Sequence, residues 1–173
     1  MSSFSEKHTI TALVEDRPGV LNRISSMFRR RGYNISSLAV GQSETSGLSR
    51  MTFVVQGDTK TVEMVAKNLN KLVEVIKVLD ISDENAVSRE LALIRVNSDV
   101  SNRGEIMQIV EIFRAKIVDV SKDTLMVEVT GDEDKVDSLV YLLATFGVHE
   151  VMRTGTVAMS RGVAFESLSG PEN

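Results

Sequence analysis

The chain has 173 residues, of which 42% are apolar and 25% are charged, and this composition is typical of one ordinary folded domain or two small ones. The absence of cysteine excludes disulfides, thiolate zinc sites and thiol catalysis, and two isolated histidines argue against a histidine-rich metal site. A net charge of -4 with 5% aromatic residues argues against binding to nucleic acid or to an anionic membrane.

The first half of the chain predicts the element order β-α-β-β-α-β. Alternation and apolar runs predict strands at 9–15, 35–40, 51–56 and 73–79. In the first helix, Pro18 suits the first position and Gly32 marks the end. The helical stripe between them comprises Val20, Leu21, Ile24, Met27 and Phe28. Asp58 or Thr59 is the predicted cap of the second helix.

The second half repeats this order after a polar linker. Strands are predicted at 91–96, 117–120, 125–130 and 148–153. Asn102 with Glu105 predicts a capping box, and Asp132 predicts the cap of the last helix. The pair Gly131–Asp132 lies 74 residues after Gly57–Asp58, so the repeat is visible directly in the sequence.

The predicted fold class is α+β, with two tandem ferredoxin-like βαββαβ units whose antiparallel sheets carry helices on one face. The predicted boundaries are 1–81, a linker at 82–88, a second unit at 89–162 and a frayed tail at 163–173. Each unit is small and leaves one sheet face uncovered, so we expect self-association to cover it.

No arrangement of side chains predicts catalysis. The carboxylates at 83–84 and 133–134 fit a solvated linker and a helix start, and His8 and His149 fit a surface terminus and a strand. A small enzyme on this fold would need titratable groups clustered on a sheet face, whereas the strand faces are mostly apolar. No apolar run approaches the ~18–20 residues that span a bilayer, and the polar N-terminus lacks a signal-peptide core, so a cytoplasmic protein is expected.

Two segments have both a structural and a functional interpretation. Arg29–Arg30–Arg31 is either a solvated helix end that complements the helix dipole or a patch for phosphate or nucleic acid. The segment Asp16–Leu21 is either a tight turn that needs a small residue, or a helix start whose free N–H groups face an anion beside Gly19.

The turn Asp16-Arg17-Pro18-Gly19-Val20-Leu21 within this element order resembles an ACT domain, the amino-acid-sensing module of metabolic enzymes. Four stretches in order resemble the small, regulatory subunit of acetolactate synthase (acetohydroxyacid synthase), and the resemblance extends from about Thr9 to Gly162. They are residues 30–41 (RRGYNISSLAVG), 48–52 (LSRMT), 111–120 (EIFRAKIVDV) and 160–162 (SRG).

The resemblance implies a subunit without an active site or cofactor of its own. Its partner is then a separate catalytic large subunit that binds thiamine diphosphate, magnesium and FAD and joins pyruvate units. The small subunit raises that activity and confers feedback inhibition by a branched-chain amino acid, usually valine. Two N-terminal ACT domains pair side by side in a homodimer or a larger assembly, and the effector binds between them.

The resemblance also carries effector-binding positions onto this chain: Gly19, Val20, Leu21, Asn34, Ile35 and Val40. The N–H groups at Gly19 to Leu21 would hold the effector carboxylate, and Asn34 of a partner protomer would accept from its ammonium group. Alternatively, Asn34 occupies a left-handed turn and Ile35 is an ordinary core residue. The alternative function is a stand-alone ACT-type sensor that regulates another enzyme or transcription.

Overall fold

The computed structural model describes residues 6–82 and 86–162, which form two units and a final short strand. The first unit contains β1 Glu6–Glu15, α1 Val20–Arg31, β2 Asn34–Gln42, β3 Leu48–Gly57, α2 Thr59–Leu69 and β4 Val75–Asp80. The second contains β5 Ala86–Asn97, α3 Arg103–Ile112, β6 Lys116–Val120, β7 Thr124–Gly131, α4 Glu133–Leu143 and β8 Val148–Arg153. The last strand is β9, Val157–Ser160. Among the described residues, no helix combines the length and the apolar character needed to span a bilayer.

Both units have the same topology, and the predicted fold class is confirmed. The strands pair antiparallel in the order β2-β3-β1-β4 in the first unit and β6-β7-β5-β8 in the second. In each unit the inward-facing strand residues and the helix stripes form a separate apolar core, which includes Phe53 in the first unit and Leu139 in the second. Each core lies between one face of its sheet and the two helices that cover that face.

The local helix signals explain why the two halves fold alike. Asp58 accepts a hydrogen bond from the backbone N–H of Thr61 at 2.8 Å, and Asp132 accepts one from Lys135 at 2.9 Å. These bonds satisfy N–H groups that have no partner inside the helix. Gly32 ends α1 with φ +69°, as predicted.

Two predicted helix starts are wrong in detail. Pro18 precedes the helix, which begins at Val20, because Arg17 to Val20 form a type II turn that places proline second and Gly19 third. The side chain of Asn102 does not cap α3, because its oxygen instead accepts from the backbone N–H of Asp99 at 2.8 Å.

His8, expected at the surface, is buried, since β1 begins at Glu6 and pairs His8 with Val55 on β3. The predicted linker at 82–88 is also too long. Residues 86–88 belong to β5, because its first four residues pair with β9 before the strand enters the second sheet. Residues 83–85 and the predicted tail at 163–173 lie outside the described residues.

The expectation that self-association covers the open sheet face needs correction for the first unit. Leu13, Thr52 and Val54 point away from the helices, yet each is buried. Strand β9 contacts β1 and β3 on this face, and residues 153–156 lie against Val54. Residues 153–160 therefore cover much of this face within a single molecule.

Gly155 marks the closest approach of this covering segment to β2. The backbone N–H of Thr156 donates to the hydroxyl of Ser37 at 2.8 Å. A Cβ atom on Gly155 would lie 2.8 Å from the Ser37 hydroxyl and 3.1 Å from the carbonyl oxygen of Leu38. Only glycine fits this position, where φ is +81°, so the second unit is held directly against β2.

Candidate effector-binding site

The turn between β1 and α1 leaves open space beside Gly19, at the start of the helix. Its first residue, Asp16, donates its backbone N–H to the carbonyl of Gly47 at 2.8 Å, which fixes the turn to the loop before β3. Gly19 has φ +90°, and a Cβ atom built on it would meet no heavy atom of any described residue within 4 Å, its two chain neighbours aside. The first-turn N–H groups have no partner within the helix and carry the positive end of its dipole. The space beside Gly19 therefore leaves room for an anion at the start of the helix.

An ion-pair network that sequence reasoning missed supports this turn. The carboxylate of Glu74, a residue that is only 6% exposed, pairs with Arg23 of α1 at 2.5 Å and with Arg17 of the turn at 3.5 Å. Arg17 also pairs with Glu15. Both arginines are thus engaged by acidic side chains. Hydrophobic periodicity reports only on neighbouring residues, whereas Glu74 lies more than 50 positions from both arginines in the sequence. The sequence therefore gives no sign of this network.

Val20 and Leu21 have different environments although both begin the helix. The side chain of Val20 is buried in the first core, and its backbone N–H donates to the carbonyl of Arg17 at 3.4 Å within the turn. Leu21 is 47% exposed, and its side chain lies on the surface beside the turn. Of the two, Leu21 is the residue that offers an apolar side chain at this end of α1.

The register of β2 separates the predicted site residues within one chain. Asn34 pairs with Gln56, whereas Gln42 at the other end of β2 pairs with Ser49, beside the end of β1 that leads to Gly19. Asn34 and Gly19 therefore lie at opposite ends of the sheet. Val40 lies at the Gly19 end, about 20 Å along the strand from Asn34, and is 49% exposed.

The structure also shows the local environments of Asn34 and Ile35. Arg114 is the one non-glycine residue with positive φ in the described part of the chain, so Asn34 does not occupy a left-handed turn. Its amide nitrogen donates to the side-chain oxygen of Gln56 at 3.1 Å on the surface. Ile35 is half-buried and packs against the first core, as a core residue would.

Comparison with known proteins identifies both units. Residues 10–77 match the model of the AHAS small subunit-like ACT domain, and residues 89–162 match the model of the small subunit of acetolactate synthase. A relative from Archaeoglobus fulgidus, named a probable acetolactate synthase small subunit, is 58% identical over 156 residues, which cover 90% of this chain and 98% of the relative.

Two further relatives agree. The acetolactate synthase small subunit of Mycolicibacterium smegmatis is 49% identical over 94% of this chain and 95% of its own length. The crystal structure of the acetolactate synthase small subunit from Thermotoga maritima superposes with a TM-score of 0.84 at 46% identity, over 92% of this chain and 99% of that one. Since these matches extend across both units, the chain belongs to the acetolactate synthase small-subunit family.

Proposed function

We propose that this protein is the regulatory subunit of acetolactate synthase in the biosynthesis of valine, leucine and isoleucine. It activates a separate catalytic large subunit, which holds thiamine diphosphate, magnesium and FAD and joins pyruvate units, and it has no catalytic site of its own. It also confers feedback inhibition by valine, which binds between the ACT domains of two copies. The proposal rests on the family membership of both units and on the open helix start at Gly19.

The chemistry of a free amino acid fits the turn at Gly19. A carboxylate placed beside this glycine reaches the first-turn N–H groups without meeting a side chain, because the space at the Gly19 Cβ position is open. The exposed side chain of Leu21 offers apolar contact to a branched aliphatic group. A small branched-chain amino acid meets both requirements.

The ammonium group of such a ligand needs a partner that one chain does not supply at this place. Asn34 lies at the far end of the sheet, but a second copy in antiparallel orientation along the edge strand β2 would bring its own Asn34 toward the Gly19 end of the first. The Asn34 side-chain carbonyl is then the acceptor for the ammonium group. This arrangement makes the effector site a property of the dimer.

Activation by mixing tests the proposed function. The isolated chain is expected to form no acetolactate from pyruvate, whereas adding it to the large subunit of the same organism is expected to raise the rate of acetolactate formation. The measurement is acetolactate production against small-subunit concentration, with and without valine. An unchanged rate on mixing would contradict the proposal. Valine binding without any association with the large subunit would instead favour the stand-alone sensor.

Self-association is a second expectation of the same proposal. The chain is expected to sediment as a dimer or larger species at micromolar concentration, because β2 is an edge strand with a row of backbone groups available for pairing. Analytical ultracentrifugation with and without valine measures this directly. A monomer under both conditions would rule out an effector site shared between two copies.

A further inference from the structure

A cationic groove lies between the C-terminal ends of α1 and α2. It encloses about 400 Å³ and is lined by Met27, Arg30, Arg31, Asn68, Lys71 and Leu72. Its charged walls are arginines from the end of α1 and a lysine just beyond α2, while buried Met27 and half-buried Leu72 form an apolar floor. Asn68, which is buried, donates its amide N–H to the hydroxyl of Tyr33 at 3.2 Å and holds the two helix ends together. We call this the α1–α2 groove.

The positive charge of this groove is unbalanced. Within residues 6–82 and 86–162, none of Arg29, Arg30, Arg31 and Lys71 forms an ion pair or a side-chain hydrogen bond, and no carboxylate lines the groove. Arg17, Arg23 and Arg153, by contrast, are all paired with acidic side chains. The whole chain carries a net charge of -4, so this end of the ACT domain is opposite in sign to the protein as a whole.

The helix ends determine which anion the groove suits. A compact phosphate ion binds best at a helix N-terminus, where free N–H groups point at it. The α1–α2 groove instead lies at two helix C-termini, whose free carbonyl oxygens repel a compact anion held close to the backbone. Long arginine and lysine side chains reach beyond these carbonyls, and the apolar floor accepts aliphatic groups. This combination suits an extended peptide that alternates acidic and apolar side chains.

We propose that the α1–α2 groove is the docking surface for an acidic segment of the catalytic large subunit. This assignment rests on the proposed function, which supplies a large subunit as the partner. The groove lies at one end of α1 and Gly19 at the other, so a single rigid helix of 12 residues connects docking surface and effector turn. Asn34, the other polar residue of the effector site, follows the groove arginine Arg31 by three positions.

Charge reversal in the groove tests the assignment through direct binding. The double variant Arg30→Glu/Arg31→Glu is expected to raise the Kd for the purified large subunit about tenfold or more at physiological salt. The difference from wild type should shrink at about 0.5 M salt, because screening weakens the contribution of these charges in the wild type. Arg30→Gln/Arg31→Gln, which removes the charge without placing acids at a helix C-terminus, should raise the Kd less strongly and serves if the reversed variant is poorly folded.

Lys60→Glu/Lys122→Glu is the matched control. It changes the net charge by the same amount at exposed lysines, one at the opposite end of α2 and the other in the second unit. Its Kd is expected to stay within about twofold of wild type, since it leaves the groove intact. An equal loss of binding in this control would mean that net charge, rather than the groove, determines association.

The remaining outcomes separate the two proposals. If the groove variants bind the large subunit with the same Kd as the wild-type chain, the proposed docking surface is wrong, whereas the proposed regulatory function is unaffected. Failure of the wild-type chain to bind the large subunit overturns both. A titration of the isolated chain with pyrophosphate covers the small-anion alternative: pyrophosphate binding that is lost in Arg30→Gln/Arg31→Gln, while that variant still binds the large subunit normally, would assign the groove to a phosphate ligand instead.

Discussion

Replacing Gly19 with aspartate is expected to abolish valine inhibition of the reconstituted enzyme while activation persists. The aspartate carboxylate would occupy the open space where the effector carboxylate approaches the first-turn N–H groups. Two unit charges about 4 Å apart repel by about 4 kcal/mol at an effective dielectric of 20. Even if solvent halves this repulsion, valine binding weakens by about 30-fold. Typical allosteric coupling free energies are only about 1–3 kcal/mol, so the repulsion is comparable with the whole coupling between valine binding and inhibition.

Gly19→Asn is the matched control, because it has the size of aspartate without the charge. In both variants the backbone of residue 19 must keep φ +90°, which costs a residue with a side chain about 1–2 kcal/mol relative to glycine. The two variants should therefore have similar thermal stabilities. Any difference between their valine inhibition curves therefore reports the added charge. Apart from Gly19 and its two chain neighbours, no described residue has a heavy atom within 4 Å of the Gly19 Cβ position, so neither variant is expected to disturb the core.

A valine titration of acetolactate formation provides the measurement. A wild-type inhibition curve for Gly19→Asp would place the effector site elsewhere on the protein. Loss of activation together with inhibition would mean that the turn supports assembly with the large subunit, and that its role is not confined to sensing valine.

Replacing Arg153 with leucine is expected to cause a large loss of folding stability. Arg153 at the end of β8 pairs with Glu90 of β5, whose side chain is only 5% exposed, and with Asp137 of α4 at 2.7 Å. Burial opposes the positive charge of Arg153, yet its hydrogen bonds to Glu90 and Asp137 raise its pKa above the usual range. Without the arginine, Glu90 is left as an uncompensated buried charge, which typically costs about 3–5 kcal/mol.

The double variant Arg153→Leu/Glu90→Leu tests this reason for the loss. Replacing both members of a buried ion pair by apolar residues is often close to neutral, so most of the stability should return. Asp137→Asn is the control for the exposed partner, and its effect should stay below about 1 kcal/mol. Urea unfolding of all four proteins gives the comparison. If the double variant is no more stable than Arg153→Leu, the unpaired charge on Glu90 is not the cause.

The candidate effector residues differ in how far the sequence alone could place them. The open turn at Gly19 was predictable, because a proline–glycine pair between a strand and a helical stripe restricts the backbone locally. The buried role of Val20 and the core contact of Ile35 were not separable from ligand contacts, since an apolar residue suits either. The separation of Asn34 from Gly19 followed only from the register of β2 against β3.

By itself the sequence determined the element order, the internal repeat, the caps at Asp58 and Asp132 and the end of α1 at Gly32. These features depend on side-chain periodicity and on hydrogen bonds between residues a few positions apart, so they are encoded locally.

The tertiary structure alone decided how the two units meet. It placed Gly155 and β9 against the first sheet, paired Arg153 with buried Glu90, and joined the ends of α1 and α2 into the cationic groove. Each of these contacts joins residues tens of positions apart. Such contacts depend on the shape and charge of two segments that have both already folded. No local pattern in the sequence predicts them.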